Sequence, residues 1–223
     1  MLSPAEWEHV EPLLRGDCDH LLVATSLPLL VEGALHDVER WNEAVCDGAW
    51  GARAARLAEY VRQATDLEHW SAFSASFARL TTRLVDVASG RLGRAPATVL
   101  VLSGDVHHSY VAPLRPAGAL LESALVQVVS SPMRNAFPRA LQRLFAFARG
   151  RPVAALGRAL ARAARVPAEP LAWGFEAGPW YRNSLATLHL HGRRAEVGLH
   201  QAVRRDGAPR LEPLHAQRLD PDA

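Results

Sequence analysis

The sequence contains no lysine: all 25 of its basic residues are arginine. Together with heavy alanine use, that pattern reflects the codon bias of a GC-rich genome rather than a binding feature. Cysteine is nearly as scarce. Cys18 and Cys46 are the only two, too few for a disulfide framework or a thiolate zinc site. No apolar run reaches the ~18 residues of a membrane-spanning helix, and no basic-then-apolar leader opens the chain. A cytoplasmic location is the default expectation. The chain also lacks a Gly-x-Ser-x-Gly elbow, a Walker-type loop and a Gly-x-Gly-x-x-Gly turn, which removes the usual serine-hydrolase and nucleotide-binding signatures. What remains is ordinary for a globular protein. The chain has 223 residues, 49% hydrophobic and 22% charged, and disordered, coiled-coil and collagen-like chains differ from that composition.

A net charge of +2 hides two opposed halves. Residues 1–90 carry 7 Arg against 14 acids, and residues 91–223 carry 18 Arg against 9. Eight of those arginines fall between Met133 and Pro167 with no acid among them. Arg158, Arg162 and Arg165 are spaced to share a helical face opposite Leu156, Leu160 and Ala163. Such a face suits an anionic membrane or a nucleic acid, or else lies in solvent or docks on the acidic half of the chain. Aromatics are sparse there (Phe137, Phe145, Phe147), so no base-stacking platform is formed and no nucleic-acid partner is expected. The solvated or docked face is the expectation, with membrane contact through 133–167 as the alternative.

Local patterns give an α/β layered sandwich with a mixed sheet, read as a single domain over residues 1–223. Ser3-Pro4-Ala5-Glu6 is a capping box that starts a helix. His20–Thr25 reads as a buried strand, followed by helices near 34–46, 50–64 and 67–88 and a second buried strand over Ala97–Leu102. Strands near 109–114 and 123–129 precede helices at 136–149 and 152–165. Antiparallel strands near 171–177, 184–191, 194–203 and 210–217 close the chain.

The strongest site candidate is Gly104-Asp105-Val106-His107, where the strand 97–102 ends. Catalytic groups collect at such strand ends in α/β folds. A glycine permits a sharp exit, and an extended segment sets Asp105 and His107 on one side. A carboxylate beside an imidazole suits a divalent or trivalent cation such as Fe, Mn, Zn or Ca. His108 would point the other way. The alternative is a turn in which Asp105 caps local backbone and His107 packs. His189 and His191 alternate on a strand, and a hairpin at Gly192-Arg193 sets them opposite Glu196 and Arg194, as a polar outer face. His36, Trp41, His69 and Trp70 read as packing or pocket-wall residues on helices.

The run Val99-Leu100-Val101-Leu102-Ser103-Gly104-Asp105-Val106-His107-His108-Ser109-Tyr110 resembles the closing motif of the alkaline phosphatase D-type (PhoD-like) metallophosphatases. Leu22–Pro28, Glu68-His69-Trp70 with Phe73 and Phe77, Gly178-Pro179-Trp180 and Asn183–Leu188 resemble further family segments. The likeness therefore extends over most of the chain.

The resemblance implies a four-layer α/β/β/α sandwich with a helical insert at 29–90. It also implies hydrolysis of phosphate mono- or diesters, two cations polarising the phosphoryl oxygens and generating a hydroxide nucleophile. By motif, Asp105 and His107 would ligate metal, and His108 would be a catalytic or substrate contact. Such a centre needs about seven or eight ligating groups. The sequence has no Asn-His pair and a single Asp-x-His, which is Asp105-Val106-His107 itself. Gly16-Asp17 lies between a helix and a strand entry, and Thr25-Ser26 offers hydroxyls where many relatives have a ligand histidine. The expectation is the C-terminal half of such an enzyme, Met1 resembling an internal methionine, with the other half as partner and a small phosphate ester as substrate. The alternative is a degenerate, non-catalytic relative with a structural or partner-binding role.

Overall fold

The computed structural model describes residues 1–134, 142 and 150–220. It is a mixed α/β structure that divides into two compact units. One comprises Leu29–Arg79 and the described residues of Pro138–Pro170, and the other comprises Leu2–Pro28, Leu80–Phe137 as far as described, and the chain from Leu171. No helix among the described residues is long and apolar enough to cross a membrane.

The second unit is built on two sheets. Strands β1 (His20–Ala24), β2 (Thr98–Ser103) and β4 (Ala124–Val129) are parallel, and β3 (Ser109–Pro116) joins β4 antiparallel. The short strands β5 (Leu171–Trp173) and β6 (Ala177–Trp180) pair with opposite ends of β3, which gives the order β1-β2-β4-β3-β5. The single strand expected near 171–177 is thus two, with Gly174–Glu176 between them. An antiparallel meander of β7 (Ser184–His191), β8 (Arg194–Arg205) and β9 (Ala208–Arg218) forms the second sheet.

Alternation along the strands explains how the sheets meet. Leu100, Val111, Val126 and Val128 of the first sheet pack with Ala195, Val197, Leu199 and Leu219 of the second-sheet region. Residues one step out of phase serve the opposite face: Val99 and Val101 are fully buried there, and Tyr110, Ala112 and Val129 form a further cluster. A strand buried on both faces reads as a continuous apolar run, which is why Thr98–Leu102 shows no polar alternation.

Helix α1 (Pro4–Val10) begins at Ser3 with both halves of the capping box in place, since Glu6 Oε2 accepts the Ser3 N–H at 2.7 Å and the Ser3 hydroxyl accepts the Glu6 N–H at 3.3 Å.

The helical unit contains α2 (Gly33–Cys46), α3 (Ala52–Ala64), the start of α4 (Ser74–Ala88) and α5 (Arg151–Ala163). The helix expected over 67–88 is interrupted. Trp70–Ala72 is a 3-10 turn, and α4 starts at Ser74, whose backbone N–H donates to the Glu43 carboxylate at 2.9 and 3.1 Å. A side chain from another helix therefore satisfies a donor that a continuous helix would have used internally. The helix expected at 136–149, with Phe137, Phe145 and Phe147, lies outside the described residues apart from Gln142.

The faces of α5 differ from expectation. Its buried residues are Gly157 and Ala161, with Ala164 just beyond, whereas Leu156 is exposed. A Cβ on Gly157 would stand 3.2 Å from both the Ala34 carbonyl oxygen and the Asp37 Cβ. Only small residues permit so close a helix crossing, so they take the inner face. Arg165 follows the helix with φ +60° and does not continue the arginine row.

Candidate functional site

The segment Gly104–His108 leaves the carboxyl end of β2, between its parallel neighbours β1 and β4. Three backbone hydrogen bonds hold its entrance. Gly104 N–H donates to the Ser26 carbonyl at 3.2 Å, Thr25 N–H to Leu102 at 3.0 Å and Ser130 N–H to Ser103 at 3.0 Å. The loop after β1, with its Thr25 and Ser26 hydroxyls, is therefore brought beside Gly104.

The turn is not an extended segment. Asp105 has φ +71° and His107 φ +55°, both left-handed, while Gly104 is not in that region. The expected division of labour is reversed: aspartate and histidine tolerate this conformation better than most side chains, and they carry the turn. Val106 packs onto the cluster of Tyr110, Ala112 and Val129. With that inward anchor, the two residues flanking Val106 are turned out, and Asp105 and His107 are both exposed. Backbone reversal, rather than strand alternation, puts them there.

Sequence reasoning missed the serines that fix this turn. The His107 N–H donates to the Ser131 hydroxyl at 3.2 Å. Ser109 Oγ accepts the Ser131 N–H at 3.0 Å and lies 3.1 Å from the Ser131 carbonyl and 2.6 Å from Ser184 Oγ. A carbonyl only accepts, so Ser109 donates to it and Ser184 supplies the proton between the two hydroxyls. All three serines are buried. Their one visible signal is a serine at the end of an apolar strand, in Val129-Ser130-Ser131 and at the starts of β3 and β7.

His108 is placed apart from the two exposed donors. It is buried, its ring stacks on Tyr110 at 5.1 Å and lies 5.5 Å from Tyr181, and its Nδ1 is 2.6 Å from the Val106 carbonyl oxygen. That carbonyl requires a proton on Nδ1. Tyr110 in turn stacks on Phe175 at 4.0 Å, and its hydroxyl accepts from the buried Gln127 amide at 3.1 Å.

The other singled-out residues have structural surroundings. Asp17 Oδ1 accepts the Arg94 N–H at 2.9 Å, and Gly16 lies so close to the Arg94 carbonyl that a Cβ would stand 2.3 Å from it. His189 pairs with Glu196 and His191 with Arg194 across the β7–β8 hairpin, in the register the two-residue turn implies. Trp70 is buried, and Trp41 packs against the cluster of Val45, Ala58 and Ala164. Both cysteines are free thiols. Burial, with the neighbouring Glu59 carboxylate second, pushes the Cys46 thiol up from its usual range.

A second polar cluster lies wholly within the helical unit. Glu39 is fully buried. His69 Nδ1 lies 2.6 Å from its Oε1, and the Ser71 hydroxyl donates to its Oε2. His36, also buried, lies 3.6 Å from Glu169 Oε2, which Arg40 approaches at 3.4 Å. His69 precedes the 3-10 turn in extended backbone rather than sitting on a helix. Glu39 carried no sequence signal because apolar periodicity does not register a carboxylate on an inner helical face.

Among the described residues, no group of three or more His, Cys, Asp or Glu side chains is arranged to hold a metal ion. Compared with protein-family models, with curated proteins and with solved structures, the chain matches none.

Proposed function

We propose that this chain carries part of the metal centre of a PhoD-like phosphoesterase, acting on phosphate mono- or diesters once further ligands are supplied. The observation that supports this reading is the Gly104-Asp105-Val106-His107 turn at the carboxyl end of β2, with a carboxylate and an imidazole both exposed beside Thr25-Ser26. The four-layer sandwich belongs to the same proposal, and the two packed sheets of the second unit are compatible with it.

A carboxylate and an imidazole suit Fe, Mn, Zn or Ca, whose charge would serve to stabilise a phosphoryl group. Two donors do not fill even one coordination sphere, so the described residues do not by themselves fit a two-cation centre. His108 lies away from substrate in this reading, because its ring is enclosed by Tyr110, Phe175 and Tyr181.

The same shortage of ligands favours a second reading, a degenerate relative that binds one metal or none. Metal analysis after equilibration with Mn, Zn, Fe or Ca tests the site, and restoration of hydrolysis by added ligands separates the two. The first reading expects at most one ion per chain, lost in Asp105→Ala/His107→Ala, and near-zero hydrolysis of nitrophenyl phosphate esters until a polypeptide with the remaining ligands is added. Metal uptake that ignores both substitutions would overturn the assignment of Asp105 and His107. Two ions per chain with strong activity of the chain alone would refute the need for further ligands.

A further inference from the structure

The outward face of α5 combines charge and apolar surface in a way the helix's own packing explains. Gly157 and Ala161 occupy the inner face because the crossing with α2 is close. The larger Leu156 is displaced to solvent and is 59% exposed. Leu156, Ala159 and Ala163 are spaced by three and four residues, so they form one line along the helix. Trp50 stands at the end of that line, 43% exposed, its indole N–H donating to the Ala163 carbonyl at 3.4 Å.

Arginines occupy the other side of the outward surface, about a third of a turn around the helix from the line. Arg151, Arg158 and Arg162 are exposed on α5, and Arg165 is exposed just past it. Among the described residues none of the four forms a salt bridge. Asp37 is the carboxylate that Arg158 and Arg162 influence, and burial nonetheless holds its pKa above the usual value. Helix α3 of the same unit carries a similar combination on its own exposed face, with Arg53, Arg56, Leu57 and Tyr60 at spacings that share it. Ala58 of α3, Val45 of α2 and Ala164, just past α5, form one cluster.

We propose that this face of the helical unit binds an anionic lipid bilayer. Guanidinium groups pair with headgroup phosphates, while Leu156 and the Trp50 ring enter the boundary between headgroups and acyl chains. Nucleic acid would use the arginines but gain nothing from an exposed leucine flanked by alanines, and one indole is not a stacking track for successive bases. The face lies within one unit and stands independently of any role for Asp105.

Flotation of the purified chain with phosphatidylcholine vesicles, with and without 30% phosphatidylserine, tests this. Binding is expected only with phosphatidylserine and should weaken as salt rises. Each arginine near such a surface is worth about fivefold, so Arg158→Ala/Arg162→Ala should weaken binding about 30-fold. Leu156→Ser changes an exposed residue, should leave the circular dichroism spectrum unchanged, and should weaken binding at every salt concentration. Absence of flotation at low salt overturns the proposal. So does binding that neither variant weakens, or binding to a DNA duplex at concentrations where vesicles are not bound.

Discussion

Between the two sheets the buried side chains are aliphatic, with Leu100, Val126 and Leu199 at the centre, while α2 of the helical unit turns His36, Glu39 and Asn42 inward. In the sheet unit, strand ladders satisfy the backbone, and buried hydroxyls gather at strand ends, where they hold the Gly104–His108 turn. In the helical unit, polar side chains reach across the interior instead. Glu39 is held by His69 and Ser71, Asn42 donates to the Ala58 carbonyl at 3.0 Å, and Glu43 caps α4. Aliphatic packing tolerates volume-conserving exchange; a buried carboxylate does not tolerate the loss of a partner.

The largest effect that would sharpen this contrast is expected for Glu39→Ala. It leaves His69 and Ser71 without their shared acceptor, and urea unfolding should show a loss of about 3–5 kcal/mol. A loss under about 1 kcal/mol would mean the helical unit is held as the sheet unit is. Ser109→Ala should cost about 1–3 kcal/mol, because the Ser131 N–H and carbonyl lose their buried partner. Hydrogen exchange at His107 should rise in the same variant, and unchanged exchange would show that the serines do not fix the turn.

The smallest effect concerns Glu59 on α3, whose pKa is lowered to about 2, first by its hydrogen bond from Arg62 and then by that from Gln63. A carboxylate with a depressed folded pKa stabilises above its unfolded value near 4.5, and that contribution fades as pH falls toward 2. Glu59→Gln should therefore differ from the parent protein in urea titrations at pH 6 and converge with it near pH 2. A constant difference across that range would assign the effect to packing rather than charge.

Several elements were legible from residues alone. The β7–β8 register followed from strict alternation around a two-residue turn at Gly192-Arg193, since any slip would turn every side chain to the wrong face. The capping box fixed the start of α1 for an equally local reason. The placement of Gly104–His107 at a strand end was legible, but its backbone was not. A glycine suggests itself as the residue that reverses the chain, yet Asp105 and His107 adopt the left-handed conformation because Val106 is anchored inward and Ser131 receives the His107 N–H. The inner face of α5 departs from the apolar pattern for a related reason. Apolar count favours Leu156, but the distance to α2 admits only Gly157 and Ala161.

The sequence by itself determined the lysine-free charge, the acidic and basic halves, most strand and helix positions, and the pairing of a carboxylate with an imidazole after β2. These depend on composition, short-range periodicity and local hydrogen bonds, all of which are encoded within a few residues. Tertiary structure alone decided that Asp105 and His107 turn outward while His108 is enclosed by aromatic rings. It also decided that Glu39 is buried and that Leu156 is not. Each of those outcomes depends on how closely one element approaches another, and that distance is set by partners far apart in the chain.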